Sequence, residues 1–258
     1  MTFLLFEYTA PKCMGYRCQM PLIPERRLER IVLFAGPSRP LCCLPASVEI
    51  RPPVKRGDLI ALANDSTALV VLADGMFFHQ PALTHVELML YLQKQALLIG
   101  TASMGALRAT ELRSYGMVGV GTVFSSILDG TVTDDEELAV AMCPYTYSSL
   151  TIPRINLRRF FFLLREHGCS SKALEVGWNA LSAVHFLERT PERIGSAWHS
   201  AGITAAAQWQ RYLREWDFDV KAQDTQLAIG VAEKYLHSDT RDLSAPAPDA
   251  VPLYRPSD

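Results

Sequence analysis

Over the first part of the chain, hydrophobic residues fall in short solid blocks; over the second they recur at helical spacing. The block at residues 31–35 is apolar at every position and closes on Gly36-Pro37-Ser38, the pattern of a strand buried on both faces and ended by a turn. Residues 68–73 repeat it and end on Asp74-Gly75. Residues 97–100 repeat it again and run into Thr101-Ala102-Ser103-Met104-Gly105. Residues 48–50 predict a further short strand. Between these blocks lie predicted helices at residues 58–62, at residues 81–95 with Pro81 in the first turn, and in the alanine-rich run from Ser103. Strands alternating with helices predict an α/β fold: a Rossmann-like N-terminal core with a parallel sheet and crossover helices. Beyond Pro153 the pattern becomes wholly helical, with helices expected at residues 155–167, 172–188, 191–199, 204–216 and 220–237. The expected organisation is therefore an α/β core at residues 31–150, an all-helical C-terminal half at residues 151–238 and a flexible, proline-bearing tail at residues 239–258. Residues 1–30 lack periodicity and read as an N-terminal extension, with disorder or an overlong start assignment as the two accounts of it.

Composition narrows the function more than the fold. With 258 residues, 49% hydrophobic and 20% charged, the chain can bury a sizeable core. A net charge of −2 predicts no general affinity for nucleic acid or an anionic membrane. No apolar run approaches the roughly 20 residues that span a bilayer, and the first residues lack the basic leader of a secretory signal. The six cysteines form no Cys-x-x-Cys pair, and adjacent Cys42-Cys43 suits neither a disulfide framework nor a zinc site. Reduced thiols in a cytoplasmic protein are the expectation. Gly116, Gly119 and Gly121 are in the wrong order for a dinucleotide fingerprint, and the phosphate-loop and zinc-protease motifs are missing. No cofactor and no metal are expected.

The strand-to-helix junction at Ser103 is the place where chemistry is best supported by the pattern. The first amides of a helix have no internal partners and can receive an anion, and a serine beside them can act as nucleophile or help hold an oxyanion. The match to a nucleophile elbow is incomplete: Gly105 fills the second glycine position and Thr101 stands at the first. The alternative is that Ser103 is a helix cap. Asp74, before Gly75 on the same predicted sheet edge, can orient a base or merely close an Asx turn. His85 is either a proton shuttle or a structural histidine among Leu83, Val86, Leu88 and Met89. Lys55 and Arg56, on the proline-braced loop before Gly57-Asp58, can hold an anionic group or simply be solvated. Arg108 and Glu111 are spaced to pair on one helix face. Thr133-Asp134-Asp135-Glu136-Glu137 resembles a metal site, but Thr133 with Glu136 fits a capping box, so a helix start is expected there.

Taken in order, Phe34-Ala35-Gly36-Pro37-Ser38, Pro52-Pro53-x-x-Arg56-Gly57-Asp58, Asp74-Gly75-x-Phe77, His85-x-Glu87 and Ala102-Ser103-Met104-Gly105-Ala106-Leu107-Arg108-Ala109-x-Glu111 resemble the TfuA-like family. Gly116-Met117-x-Gly119-x-Gly121, Asp134-Asp135-Glu136 and the later Phe218-x-Val220-Lys221 with Asp224 continue the resemblance. Thr101 and Thr110 stand where the family usually has small residues. The resemblance implies a partner of a YcaO enzyme in making a modified ribosomal peptide. The YcaO enzyme uses ATP to activate a backbone amide oxygen, and sulfur then replaces that oxygen to give a thioamide. For this chain it implies sulfur delivery, by accepting a sulfur carrier protein that ends in a thiocarboxylate and releasing sulfide, with the precursor peptide as a further possible partner. Cleavage of such an acyl donor needs a nucleophile, a proton shuttle and oxyanion stabilisation. The expected catalytic residues are Ser103, His85 and Asp74; the expected substrate-binding residues are Lys55, Arg56, Arg108, Gly105 and Gly75. The competing expectation is a non-catalytic adaptor, docking through the helical half with its Trp178, Trp198 and Trp216.

Overall fold

Five short strands make one all-parallel sheet in the order β2-β1-β3-β4-β5: β1 (Arg30–Phe34), β2 (Val48–Arg51), β3 (Ala68–Leu72), β4 (Leu98–Thr101) and β5 (Val118–Val120). The structure is a computed structural model that describes residues 28–40, 42–76, 81–94, 97–202, 209–215, 217–237 and 250–256. Most of the N-terminal extension and of the tail, together with Phe77 and Trp216, lies outside the described residues. Register is set by facing apolar positions: Val32 pairs with Val70, and Val71 with Ile99. The strand order is that of the flavodoxin-like doubly wound sheets, with the switch point between β1 and β3. β5 is the strand that pattern alone does not reveal. It has three residues, and its central Gly119 is required because a Cβ there would lie 2.1 Å from the Phe124 ring.

Alternation along the strands divides the core. Val32, Phe34, Val70, Leu72 and Leu98 face one layer of helices, α1 (Asp58–Leu62), α2 (His85–Gln93) and α3 (Met104–Leu112), through Leu59, Leu88, Ala106 and Ala109. Ile31, Leu33, Leu69, Val71 and Ile99 face the opposite side, where Ala228, Ile229 and Ala232 of α9 (Val220–His237) cover them. The stretch from β1 to β2 has no helix among its described residues, so this C-terminal helix closes the second face. That face would otherwise expose an apolar sheet to water.

α5 (Arg154–Glu166), α6 (Ser171–Ser182), α7 (Pro191–Ser200) and α8 (Trp209–Glu215) pack on one another around an aromatic cluster. Phe160 stacks on Trp198 at 5.4 Å and meets Trp209 edge-on at 4.9 Å. Trp178 and Trp198 are core residues, 7% and 1% exposed, so they offer no docking surface; an aromatic payload of this size is worth most when buried.

Three local expectations are corrected. Pro81 does not open a helix: its carbonyl accepts the Arg56 N–H at 3.0 Å, and α2 starts at His85 behind Thr84, whose hydroxyl caps Glu87 N–H. The helix expected over residues 172–188 stops at Ser182, and a single 3-10 turn follows at Phe186–Glu188. The backbone is extended at His185, ψ 148°, and the buried Arg189 Nε donates to the Val184 carbonyl at 3.0 Å. The cap in the acidic run is Asp134 rather than Thr133, and it serves one 3-10 turn, Asp135–Glu137. Glu137 forms a bidentate pair with the buried Arg158 (2.6 and 2.8 Å), and Glu136 pairs with Arg189. The acidic run thus anchors the helical half to the α/β core.

Candidate functional site

The carboxyl ends of β1 and β3 meet at Asp74. Its side chain, 4% exposed, accepts the Gly36 N–H (2.8 Å), the Ser38 N–H (2.7 Å) and the Ser38 hydroxyl (2.7 Å). Three donors on one carboxylate hold the turn after β1 against the end of β3, at the switch point where doubly wound folds bind ligands. Lys221 of α9 brings its ammonium to 3.9 Å from Asp74 and donates to the Leu138 carbonyl at 3.1 Å. Burial pushes this lysine's pKa down, and the Asp74 charge opposes that shift.

At the end of β4 the chain turns sharply. Ala102 takes a left-handed φ of 61° while fully buried, an uncommon conformation for a residue with a Cβ. Ser103 follows at the N-cap position of α3, yet its side chain makes no cap hydrogen bond. The residue is half-buried, and its hydroxyl has no partner among the described residues. Gly105 allows α3 to press on β3: a Cβ would stand 1.7 Å from the Leu72 carbonyl oxygen, and the Gly105 N–H reaches Ala73 O at 3.3 Å. Gly75 serves the same close approach, since a Cβ there would meet Met104 Sδ at 2.1 Å. Packing is what the structure shows for both glycines.

His85, at the start of α2, faces α3. Its Nε2 lies 2.7 Å from Glu111 Oε2 and 3.2 Å from Arg108, which also pairs with Glu111. The three side chains form one cluster on the rim, and the buried Arg108 Nε has no partner among the described residues. Glu87, two residues on, points inward. It accepts the amides of Gly57 (3.0 Å), Leu59 (2.9 Å) and Ile60 (3.3 Å), neutralising the start of α1. The basic loop is thereby fixed to α2. Lys55 is held by Asp58 at 3.2 Å, and Arg56 is exposed with no side-chain partner among the described residues.

Asp224 on α9 repeats this device. It accepts Thr122 N–H and Val123 N–H, each at 2.7 Å, at the start of α4 (Thr122–Leu128), just after Gly121 at φ 105°. Burial pushes its carboxyl up to about 7 against the pull of those amides. The Thr101 hydroxyl completes the junction by donating to Val120 O (2.9 Å) and Asp224 O (3.0 Å).

The structure therefore brings His85 together with Arg108, and separately clasps Asp74 in the β1 turn. The described contacts do not join Asp74 or Ser103 to His85; the acid beside the histidine is Glu111. Ser38, Glu87, Glu111, Lys221 and Asp224 were not among the expected site residues. Glu87, Lys221 and Asp224 are buried charges, and Ser38 and Glu111 are polar partners, that only long-range contacts reveal. Among the described residues no group of His, Cys, Asp or Glu could hold a metal ion, and no helix is long and apolar enough to cross a membrane.

The molecule is thus an α/β protein with a 2-1-3-4-5 parallel sheet and a polar carboxyl edge built from Asp74, Ser103 and the start of α4. Residues 74–190 match the family model described as TfuA-like protein, so this part of the chain is similar to that family. The family is associated with YcaO enzymes in the thioamide pathway. No curated protein matches the chain.

Proposed function

We propose that this chain supplies sulfur to a YcaO enzyme during backbone thioamidation, by cleaving a carrier protein that ends in a thiocarboxylate. The observation that supports this reading best is the histidine–carboxylate pair between His85 of α2 and Glu111 of α3 at 2.7 Å, α3 being the helix that Ser103 opens with a hydroxyl that has no partner among the described residues. A histidine oriented by a carboxylate is the base half of an acyl-transfer site, and a free serine at a helix start is a suitable nucleophile. In the proposed step Ser103 Oγ bonds to the thiocarboxylate carbon and its proton passes through solvent to His85, since no described contact joins the two side chains. The C–S bond then breaks and hydrosulfide leaves. Water adds to the resulting ester, restores Ser103 and leaves the carrier with an ordinary carboxylate. The net change is thiocarboxylate plus water to carboxylate plus hydrogen sulfide, with no oxidation or reduction. Arg56 and Arg108 are assigned to the anionic end of the carrier, with Lys55 beside them. Asp74, saturated by the β1 turn, is assigned to shaping the edge.

The test is direct. Full-length protein mixed with a thiocarboxylated carrier releases sulfide, and Ser103→Ala or His85→Ala lowers the rate by at least about 100-fold, the usual scale for a lost acid–base group. No sulfide from the unaltered protein overturns the reading.

One observation favours a second reading, an adaptor without catalysis. Val86 and Leu90, 67% and 51% exposed, stand four residues apart on α2 and present apolar surface to solvent. Under that reading, Val86→Asp with Leu90→Asp abolishes binding to the YcaO enzyme while Ser103→Ala leaves thioamidation unchanged.

A further inference from the structure

Between the helical half and the Pro37 turn lies a cavity of about 540 Å³, within the usual range of small-ligand sites. Ile152, Pro153, Pro191 and Phe218 give it stiff apolar walls. Its polar groups are strongly unequal. Lys221 reaches it from α9, where its ammonium donates to Leu138 O at 3.1 Å and lies 3.9 Å from Asp74. Glu215, Asp217 and Asp219 also line it, with Arg214 as the remaining lining cation and Arg159 acting on Asp217 from farther off. Asn156, 6% exposed, donates its amide to Asp219 at 3.0 Å. Its Oδ1 is buried and has no hydrogen-bond partner among the described residues. An acceptor left dry in this way is uncommon, because its lost hydration is not replaced. The cavity lining thus carries three carboxylates against two cations, together with one amide oxygen that has no donor among the described residues.

We propose that the cavity binds a cationic N–H donor carried on a peptide: an arginine or lysine side chain whose donors meet Asn156 Oδ1 and the carboxylates of Asp217 and Asp219, with flanking apolar residues along Pro153, Pro191 and Phe218. The assignment rests on the reading above only in that this chain handles a polypeptide partner. A guanidinium fits best, since its fixed planar fork offers five donors and no acceptor. A carboxylate-bearing ligand is disfavoured by the three acids.

The experiment is calorimetric titration of the full chain at low ionic strength with the peptide Ac-Gly-Leu-Arg-Leu-Gly-amide and with its neutral counterpart carrying citrulline for arginine. The arginine peptide binds at least about tenfold more tightly, the scale of a charged partner lost from a buried contact. Asp217→Asn and Asn156→Leu each reduce that preference, while circular dichroism and thermal unfolding report that both variants fold. Equal affinities for the two peptides, measured on the unaltered chain, overturn the proposal, as does a preference unchanged in both variants. A citrulline peptide with a free amino terminus that binds as well as the arginine peptide overturns the side-chain assignment. Sulfide release is read separately. Peptide discrimination without sulfide supports the cavity and overturns the sulfur-release reading; sulfide without discrimination does the reverse.

Discussion

Ser103 occupies a helix N-cap without using its side chain as a cap. A capping serine replaced by alanine costs about 1 kcal/mol; a hydroxyl that holds nothing costs less than about 0.5 kcal/mol. Ser103→Ala is therefore expected to unfold in urea at an unchanged midpoint while losing sulfide release, and a large loss of stability would return the residue to a structural role. Asp224 carries a different prediction. Burial raises its carboxyl from 3.8 to about 7, so the folded chain holds a proton that the unfolded chain releases at lower pH. Its contribution to stability is complete below pH 3.8 and is lost as pH rises through about 7. The melting temperature of the unaltered protein should fall relative to Asp224→Asn across that window. A constant difference between the two would show that the carboxylate stays charged on the α4 amides. At this scale the sequence placed His85 on a helix before β4, and Ser103 and Arg108 at and after the start of the helix that follows it. It did not reveal that Glu111, rather than Asp74, stands beside His85, because that pairing depends on how two helices lie on the sheet.

Helix α3 is placed by what it lacks. At Gly105 any side chain would collide with the Leu72 carbonyl, and at Gly100 a Cβ would stand 2.1 Å from the Gly105 carbonyl oxygen. Gly105→Ala must lift the helix from β3, at the 1–3 kcal/mol typical of overpacking, so a loss of about 2 kcal/mol in chemical denaturation is expected. Tolerance of alanine without loss would mean that α3 sits farther from the sheet. The α1 loop follows the same logic with charge in place of volume: Glu87 supplies the acceptor that the short helix cannot supply for itself. The sheet strands were legible because apolar blocks closed by Gly, Pro and Asp have few alternatives. β5 was not, since two valines around a glycine carry no pattern and gain strand character only beside β4.

On the scale of the whole molecule, a buried ion pair and a helix from the far end both help to join the halves. Arg158, 7% exposed, binds Glu137 in a fork and also donates to Tyr254 O at 2.9 Å. Removing one partner of a buried pair leaves the other uncompensated, at about 3–5 kcal/mol. Arg158→Ala and Glu137→Ala are each expected to destabilise on that scale, and the double variant by clearly less than their sum. Additive losses would mean that the pair is not coupled. The second contact is α9, which leaves the helical half in sequence and covers the sheet in space, bringing Lys221 to Asp74 and Asp224 to α4.

By itself the sequence determined the α/β class, four of the five strands and the helical second half, since these depend on local periodicity read along the chain. Tertiary structure decided which charges are buried, which acid serves His85, that Trp178 and Trp198 belong to the core, and that a helix from the far end completes the sheet. Burial and pairing are properties of surfaces brought together from distant positions. Spacing along the chain does not encode the distance between Asp74 and Lys221, and that contact exists only once the sheet has formed and α9 has covered it.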